Sequence, residues 1–114
     1  MEFDRYSLVL LRRGPRALEF CEEELERLQA AHLAHLDAMR ERGVLLAAGP
    51  FRDQEDETFR GICIYRTGLE ETRELANSDL SVQAGRMRVE VVTWLTPAGQ
   101  VVFPGSDDEP KEAA

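Results

Sequence analysis

The sequence predicts an α+β domain whose elements follow in the order β-α-β-β-α-β. Three observations lead to this prediction. Apolar residues near the N-terminus alternate and then run together, as in a strand with a buried face. A long segment then shows apolar residues at three- and four-residue steps, as in a helix packed on one side. Strand, strand, helix and strand patterns follow. This order is typical of one antiparallel four-stranded sheet with both helices on one face, and we assign it to residues 1–103.

The first strand and the first helix have the clearest patterns. The strand is predicted over Phe3–Leu11 and is broken by Arg12–Pro15. A helix is predicted from about Leu18 to Arg42, and Gly43 is the expected stop, in the position after a helix that tolerates positive φ. Its apolar stripe consists of Cys21, Leu25, Leu28, His32, Leu36 and Met39.

The later elements are shorter. They are a strand over Val44–Ala48, an acidic loop over Phe51–Phe59, a strand over Phe59–Arg66, a helix over Leu69–Ala76, a helical turn over Asp79–Ala84 and a strand over Met87–Leu95. Ser78 or Asp79 is the expected N-cap of the helical turn. A turn is predicted over Thr96–Gly99, a short terminal strand over Gln100–Phe103, and an acidic, disordered tail over residues 104–114.

Both faces of the predicted sheet carry apolar side chains, since Leu8 and Leu10 alternate with Val9 and Leu11. The helices cover only one face. The simplest cover for the other face is a second copy of the chain, so we expect a homodimer formed through the open sheet face.

Charge and composition exclude several classes. The net charge of −8 argues against binding nucleic acid, which requires a basic surface. No apolar run reaches the roughly 20 residues that span a membrane, and Met1–Arg5 does not resemble a signal peptide, so we expect a cytoplasmic protein. Cys21 and Cys63 form no metal-binding or disulfide pattern and are interpreted as reduced packing residues. Without a glycine-rich phosphate loop or a cysteine cluster, no cofactor is expected.

His32 is the main functional candidate, because it lies on the apolar stripe of the long helix, where an imidazole needs a partner. Asp79 is a plausible partner. Together they can perform acid/base chemistry, or they can be a buried histidine satisfied by a carboxylate that also caps a helix. Ser78 and Ser81 flank Asp79, and capping is a better interpretation for them than nucleophilic catalysis.

Other residues have weaker signals. His35 lies three residues after His32; the pair is weak evidence for a metal, and a partly exposed rim position is the commoner outcome. Gly49-Pro50 ends a strand where a pocket can open, and Gly61 suggests a close backbone approach. Three arginines either bind an anionic substrate or pair with acids: Arg60, Arg86 and Arg88. Three aromatic residues either line a ligand cleft or pack in a dimer core: Phe59, Tyr65 and Trp94.

Four segments of the sequence also resemble segments of a known protein family. They are His32-Leu33-Ala34-His35-Leu36, then Gly43-Val44-Leu45-Leu46-Ala47-Ala48-Gly49-Pro50, then Gly61, and then Asn77-Ser78-Asp79-Leu80-Ser81-Val82-Gln83-Ala84-Gly85. With a strand that ends near Trp94, they resemble the YciI-like (YCII-related) family of small bacterial proteins, over roughly Tyr6 to Leu95.

The resemblance implies a ferredoxin-like α+β fold that dimerises into an α/β barrel enclosing a cleft. Relatives in that wider group include muconolactone isomerase-like and chloromuconolactone dehalogenase-like enzymes. The resemblance also implies that His32 and Asp79 are a catalytic pair. Leu80 departs from the family, which usually has a proline there to stiffen the turn. To substrate binding we assign His35, Gly49, Pro50 and Ser78.

Two classes of function follow. The first is an enzyme that uses a His–Asp pair for general acid/base chemistry on a small molecule, of lyase, isomerase, hydrolase or dehalogenase type. The alternative is a non-enzymatic dimeric module that binds a small ligand or a protein, in which the pair is structural. Cofactor-free oxidation is a third reading that rests on fold analogy alone.

Overall fold

The structure is a computed structural model that describes residues 1–104. Its elements are β1 (Phe3–Arg13), α1 (Glu22–Glu41), β2 (Leu45–Pro50), β3 (Phe59–Tyr65), α2 (Leu69–Asn77), α3 (Leu80–Gln83) and β4 (Met87–Pro97). The predicted order is confirmed, with α3 as the extra helical turn. Residues 105–114, most of the predicted acidic tail, lie outside the described residues.

The four strands form one sheet in the order β2-β3-β1-β4, and every neighbouring pair is antiparallel. β1 pairs with β4 from Phe3↔Pro97 to Arg13↔Met87 without interruption. Each helix connects two strands that have a third strand between them. This is the predicted ferredoxin-like arrangement of an α+β domain.

The core lies between the helices and one face of the sheet. Val9 on β1 and Cys63 on β3 are register partners and are 1% and 2% exposed. The core also contains Leu11, Met39, Leu45, Tyr65, Ala76 and Met87. The alternate residues of the strands point to the opposite face, where the helices do not reach. Apolar side chains therefore lie on both faces, as predicted.

α1 begins at Glu22, not at Leu18, so the predicted start was four residues too early. The preceding segment is tied to the turn before β4, because the backbone N–H groups of Gly14 and Arg16 donate to the carbonyl groups of Arg86 and Gly85. The helix ends as predicted, and Gly43 has a φ of +77°. No helix within residues 1–104 is both long and apolar enough to cross a membrane.

Other boundaries were also wrong. β1 continues through Arg12 and Arg13, which pair with Arg88 and Met87, so the predicted strand break was placed two residues too early. β2 continues through Gly49 and Pro50, which pair with Ile62 and Gly61, because an edge strand tolerates a proline. The predicted strand over Gln100–Phe103 does not form, and β4 extends to Pro97 through part of the predicted turn. Instead of adding a strand, this segment brings the ring of Phe103 edge-on to Tyr6, with ring centroids 5.2 Å apart.

Candidate active site

His32 lies on the buried side of α1 and contacts a residue far along the chain. Its Nδ1 is 2.6 Å from Oδ2 of Asp79. The two residues are 7% and 2% exposed, so the contact is shielded from water. The structure thus brings together the two residues that the sequence analysis assigned as a pair.

Asp79 occupies the junction between α2 and α3, where it is the N-cap of α3. Its Oδ1 accepts a hydrogen bond from the backbone N–H of Ser81 at 2.9 Å, which confirms the predicted capping role. Ser81 is fully buried, and its hydroxyl donates to the carbonyl oxygen of Leu28 on α1 at 3.2 Å. Ser81 therefore fixes the cap against the helix that carries His32, a role that its flanking position alone did not reveal.

The protonation state of the pair follows from these bonds. Burial acts to raise the pKa of Asp79, but hydrogen bonds from His32 and from the N–H of Ser81 outweigh it, and the pKa is lowered overall. An ionised carboxylate only accepts hydrogen bonds, so Nδ1 of His32 carries a proton and donates it. In the neutral imidazole, Nε2 is then the nitrogen that can accept a proton.

His32 also forms part of the wall of a cleft of about 680 Å³, a volume in the range of small-molecule sites. Within residues 1–104, Nε2 of His32 has no hydrogen-bond partner, and this atom is not completely buried. His32 borders this cleft and also a much smaller gap on the inner side of α1. The apolar lining includes Leu11, Leu25, Leu36 and Met87.

The other residues assigned to substrate binding have different positions. Gly49 and Pro50 line the cleft. His35 does not; it borders a much smaller gap between α1 and the sheet, and its Nε2 is buried without a hydrogen-bond partner in the described part of the chain. Ser78 is exposed at the end of α2, where its hydroxyl donates to the carbonyl oxygen of Leu75 at 2.7 Å. The structure thus does not bring Ser78 to the cleft.

Several lining residues were missed by the sequence analysis. On α1 they are Gln29, Leu33, Asp37 and Arg40, which share one side of the helix with His32 and Leu36. Their helical spacing was visible in the sequence, but they lie beside the predicted apolar stripe and not on it. Arg13 was also missed, because it lies at a predicted strand break.

Cys63 lines the cleft but is a poor nucleophile. Burial, with a smaller contribution from Asp79, raises the pKa of its thiol to about 12. Cys21 is exposed at the start of α1. Among the described residues, no three His, Cys, Asp or Glu side chains are grouped as potential metal ligands.

Comparison with known proteins places this geometry in a family. One similar solved structure is 5-chloro-2-hydroxyhydroquinone dehydrochlorinase (TftG) from Burkholderia phenoliruptrix AC1100, in complex with 2,5-dihydroxybenzoquinone. The two chains are 19% identical, with a TM-score of 0.56 over 78% of this chain and 92% of the other, a likeness of fold. No curated protein sequence matches the chain. The model of the YCII-related domain matches residues 6–95. The chain therefore belongs to the YCII-related family.

Proposed function

We propose that this protein is a small-molecule enzyme in which His32 is the general acid/base and Asp79 orients it. The observation that carries the proposal is the 2.6 Å contact between Nδ1 of His32 and Asp79, which directs Nε2 away from the carboxylate, at the wall of a large cleft. Lyase, isomerase, hydrolase and dehalogenase reactions all suit one such group.

The chemistry is that of a base held by a carboxylate. Nε2 accepts a proton from a substrate carbon or oxygen, and the imidazolium that forms is stabilised by ionised Asp79. The same nitrogen then returns the proton to a product or leaving group. The low pKa of Asp79 supports this role, because the carboxylate stays charged while the imidazole cycles.

The similar solved structure supports the reaction class. That protein is named as a dehydrochlorinase, and loss of HCl requires a proton to be removed from the substrate. It is bound to a small cyclic quinone, a size that a cleft of about 680 Å³ accommodates. A small cyclic organic molecule is therefore the first substrate class to test here.

The test compares His32→Asn with His35→Asn. Asparagine at position 32 offers an amide N–H where Nδ1 donates to Asp79, so the buried contact is retained while the titratable Nε2 is removed. The substrate is found by screening chlorinated hydroquinones and lactones with the wild-type protein. We expect kcat/KM to fall by about 10²–10⁴-fold in His32→Asn.

His35→Asn makes the same chemical change one turn away, outside the cleft, and is expected to keep most of the activity. Turnover that persists in His32→Asn would refute the acid/base role. It would leave the pair structural and favour the alternative, a module that binds ligands or proteins without catalysis.

We also propose that the protein is a homodimer formed through the open sheet face. The support is the apolar character of that face, where Val92 is 43% exposed between the half-buried residues of β1 and β4. An apolar face of this kind favours burial against a second copy. Half-buried members of the face are Leu8, Leu10, Ile62, Ile64 and Trp94.

Sedimentation equilibrium tests the dimer. We expect twice the chain mass for the wild type and a monomer for Val92→Arg. Leu95→Arg is the matched control, because Leu95 is 50% exposed on the same strand but points to the other side of the sheet. A wild-type monomer, or equal dissociation of the two variants, would exclude this interface.

A further inference from the structure

The cleft differs in charge from the rest of the chain. The whole sequence carries a net charge of −8. The residues that line the cleft, however, include a single carboxylate, Asp37, and four arginines, Arg13, Arg40, Arg60 and Arg86. A positive cleft in an acidic protein concentrates anions.

None of these arginines has a carboxylate partner in an ion pair within residues 1–104. Of the arginines outside the cleft, four are shown paired with an acid: Arg12, Arg16, Arg73 and Arg88. Arg60 donates to the backbone carbonyl of Glu57, and Arg86 donates to Oε1 of Gln29 at 3.0 Å. A guanidinium has five N–H groups, so this bond leaves Arg86 with donors for a ligand.

Arg13 and Arg86 both line the cleft, and their backbones lie side by side. Arg13 is the last residue of β1, opposite Met87 in the register, and the N–H of Gly14 donates to the carbonyl of Arg86 at 2.7 Å. Val9, Leu11 and Arg13 alternate with the residues of the open face, so Arg13 is on the helix side of the sheet. We therefore expect the guanidinium groups of Arg13 and Arg86 to lie at the same end of the cleft.

This end is close to His32. Gln29, which holds the guanidinium of Arg86, precedes His32 by three residues on α1, a rise of about 4.5 Å along the helix. Arg40 lies eight residues after His32, about 12 Å along the same axis. An anionic group at the Arg13–Arg86 end therefore leaves the rest of a small ligand beside His32. Apolar side chains line this part of the cleft on either side, among them Leu25, Leu36 and Met87.

We propose that the Arg13–Arg86 end of the cleft binds the carboxylate of a small organic acid, whose apolar body extends toward His32. The planar fork of a guanidinium matches a carboxylate with two parallel hydrogen bonds. That this acid is the substrate rests on the function proposed above; the binding site itself does not.

The test is an NMR titration of the full chain, labelled with ¹⁵N, with benzoate and with its neutral isostere benzamide. We expect saturable shifts for benzoate at residues that line the cleft, and binding of benzamide weaker by about tenfold. Arg86→Gln and Arg13→Gln are each expected to weaken benzoate binding by a similar factor, and Arg86→Lys to recover part of it. Arg88→Gln, which removes the same charge from the open face of the sheet, is the control and is expected to bind as the wild type does.

The proposal is overturned if benzoate gives no saturable shifts, if benzamide binds equally well, or if Arg86→Gln and Arg88→Gln behave alike. His32→Asn separates this site from the proposed catalysis. In the His32→Asn background, Arg86→Gln is still expected to weaken benzoate binding whether or not His32 is the base, so a failure of the acid/base role does not remove the anion site.

Discussion

Nδ1 of His32 on α1 lies 2.6 Å from Oδ2 of Asp79, which is 47 residues further along the chain. The contact is buried, and the second oxygen of the carboxylate is held by the N–H of Ser81. One side chain therefore joins the long helix to the α2–α3 junction and also fixes the tautomer of the imidazole. Stability and the proposed chemistry depend on the same bond, and suitable variants separate them.

Asp79→Asn removes the charge of the carboxylate but keeps the cap, because asparagine is as good an N-cap as aspartate. We expect the free energy of unfolding to fall by about 1.5–3 kcal/mol, the contribution of a hydrogen bond to a charged group. Urea unfolding followed by circular dichroism measures it. Asp37→Asn, on an exposed residue of α1, is the control and is expected to change stability by less than about 0.5 kcal/mol. Equal effects of the two changes would show that the pair adds no stability.

The sequence predicted the elements well because each has a local pattern. The apolar stripe that contains His32 and Met39 identified α1, and the glycine at position 43 identified its end. The start of α1 was missed because it depends on backbone bonds from Gly14 and Arg16 to a turn 70 residues away. No local pattern records such a contact.

The family resemblance supported the pairing of His32 with Asp79. No helix or strand periodicity relates two residues that are 47 positions apart. The cleft was not predictable in the same way. It is the space left where α1, the four strands and the β1–α1 segment do not close on one another, and its shape depends on their packing. The sequence analysis therefore named Gly49 and Pro50 but not Arg13 or Gln29.

Leu80→Pro is expected to stabilise the protein. Leu80 is the first residue of α3, where proline is favoured, and it is 56% exposed. The preceding residue, Asp79, already has φ −69° and ψ 127°, within the extended region that a following proline requires. The departure from the family's usual proline thus leaves the geometry of the turn suited to that residue.

We expect a gain of about 0.4–1 kcal/mol for Leu80→Pro, because proline restricts the unfolded chain, and an unchanged His32–Asp79 contact. Chemical denaturation measures the gain, and the NMR shifts of the His32 ring report on the contact. A loss of stability would mean that the N–H of residue 80 has a partner in the folded protein.

His35 makes the stability depend on pH. Burial lowers its pKa below the ordinary value of 6.5, helped by His32 and opposed by Asp79. The folded protein therefore resists protonating His35, while the unfolded chain does not. Its contribution to stability is full above pH 6.5 and is lost as the pH falls from there toward the lowered pKa.

His35→Leu removes this dependence and also removes the buried, unpartnered Nε2. We expect the variant to be as stable as the wild type or more stable, with a smaller decrease on acidification through the window below pH 6.5. Unfolding curves at a series of pH values measure both slopes. Parallel slopes for the two proteins would show that His35 protonates equally in the folded and unfolded states.

Gly61→Ala tests the close approach of β2 and β3 at the edge of the cleft. A Cβ atom at position 61 would lie 2.7 Å from the carbonyl oxygen of Gly49 and 3.2 Å from Cα of Pro50. Both contacts are with backbone, so β2 must move to relieve them, and we expect a loss of about 1–3 kcal/mol in urea unfolding. Gly49→Ala is the matched control, because within residues 1–104 no heavy atom beyond its chain neighbours lies within 4 Å of a Cβ there. Both glycines line the cleft on paired strands. If Gly49→Ala lowers the free energy of unfolding as much as Gly61→Ala does, the effect comes from a change in the cleft lining and not from the contact between the strands.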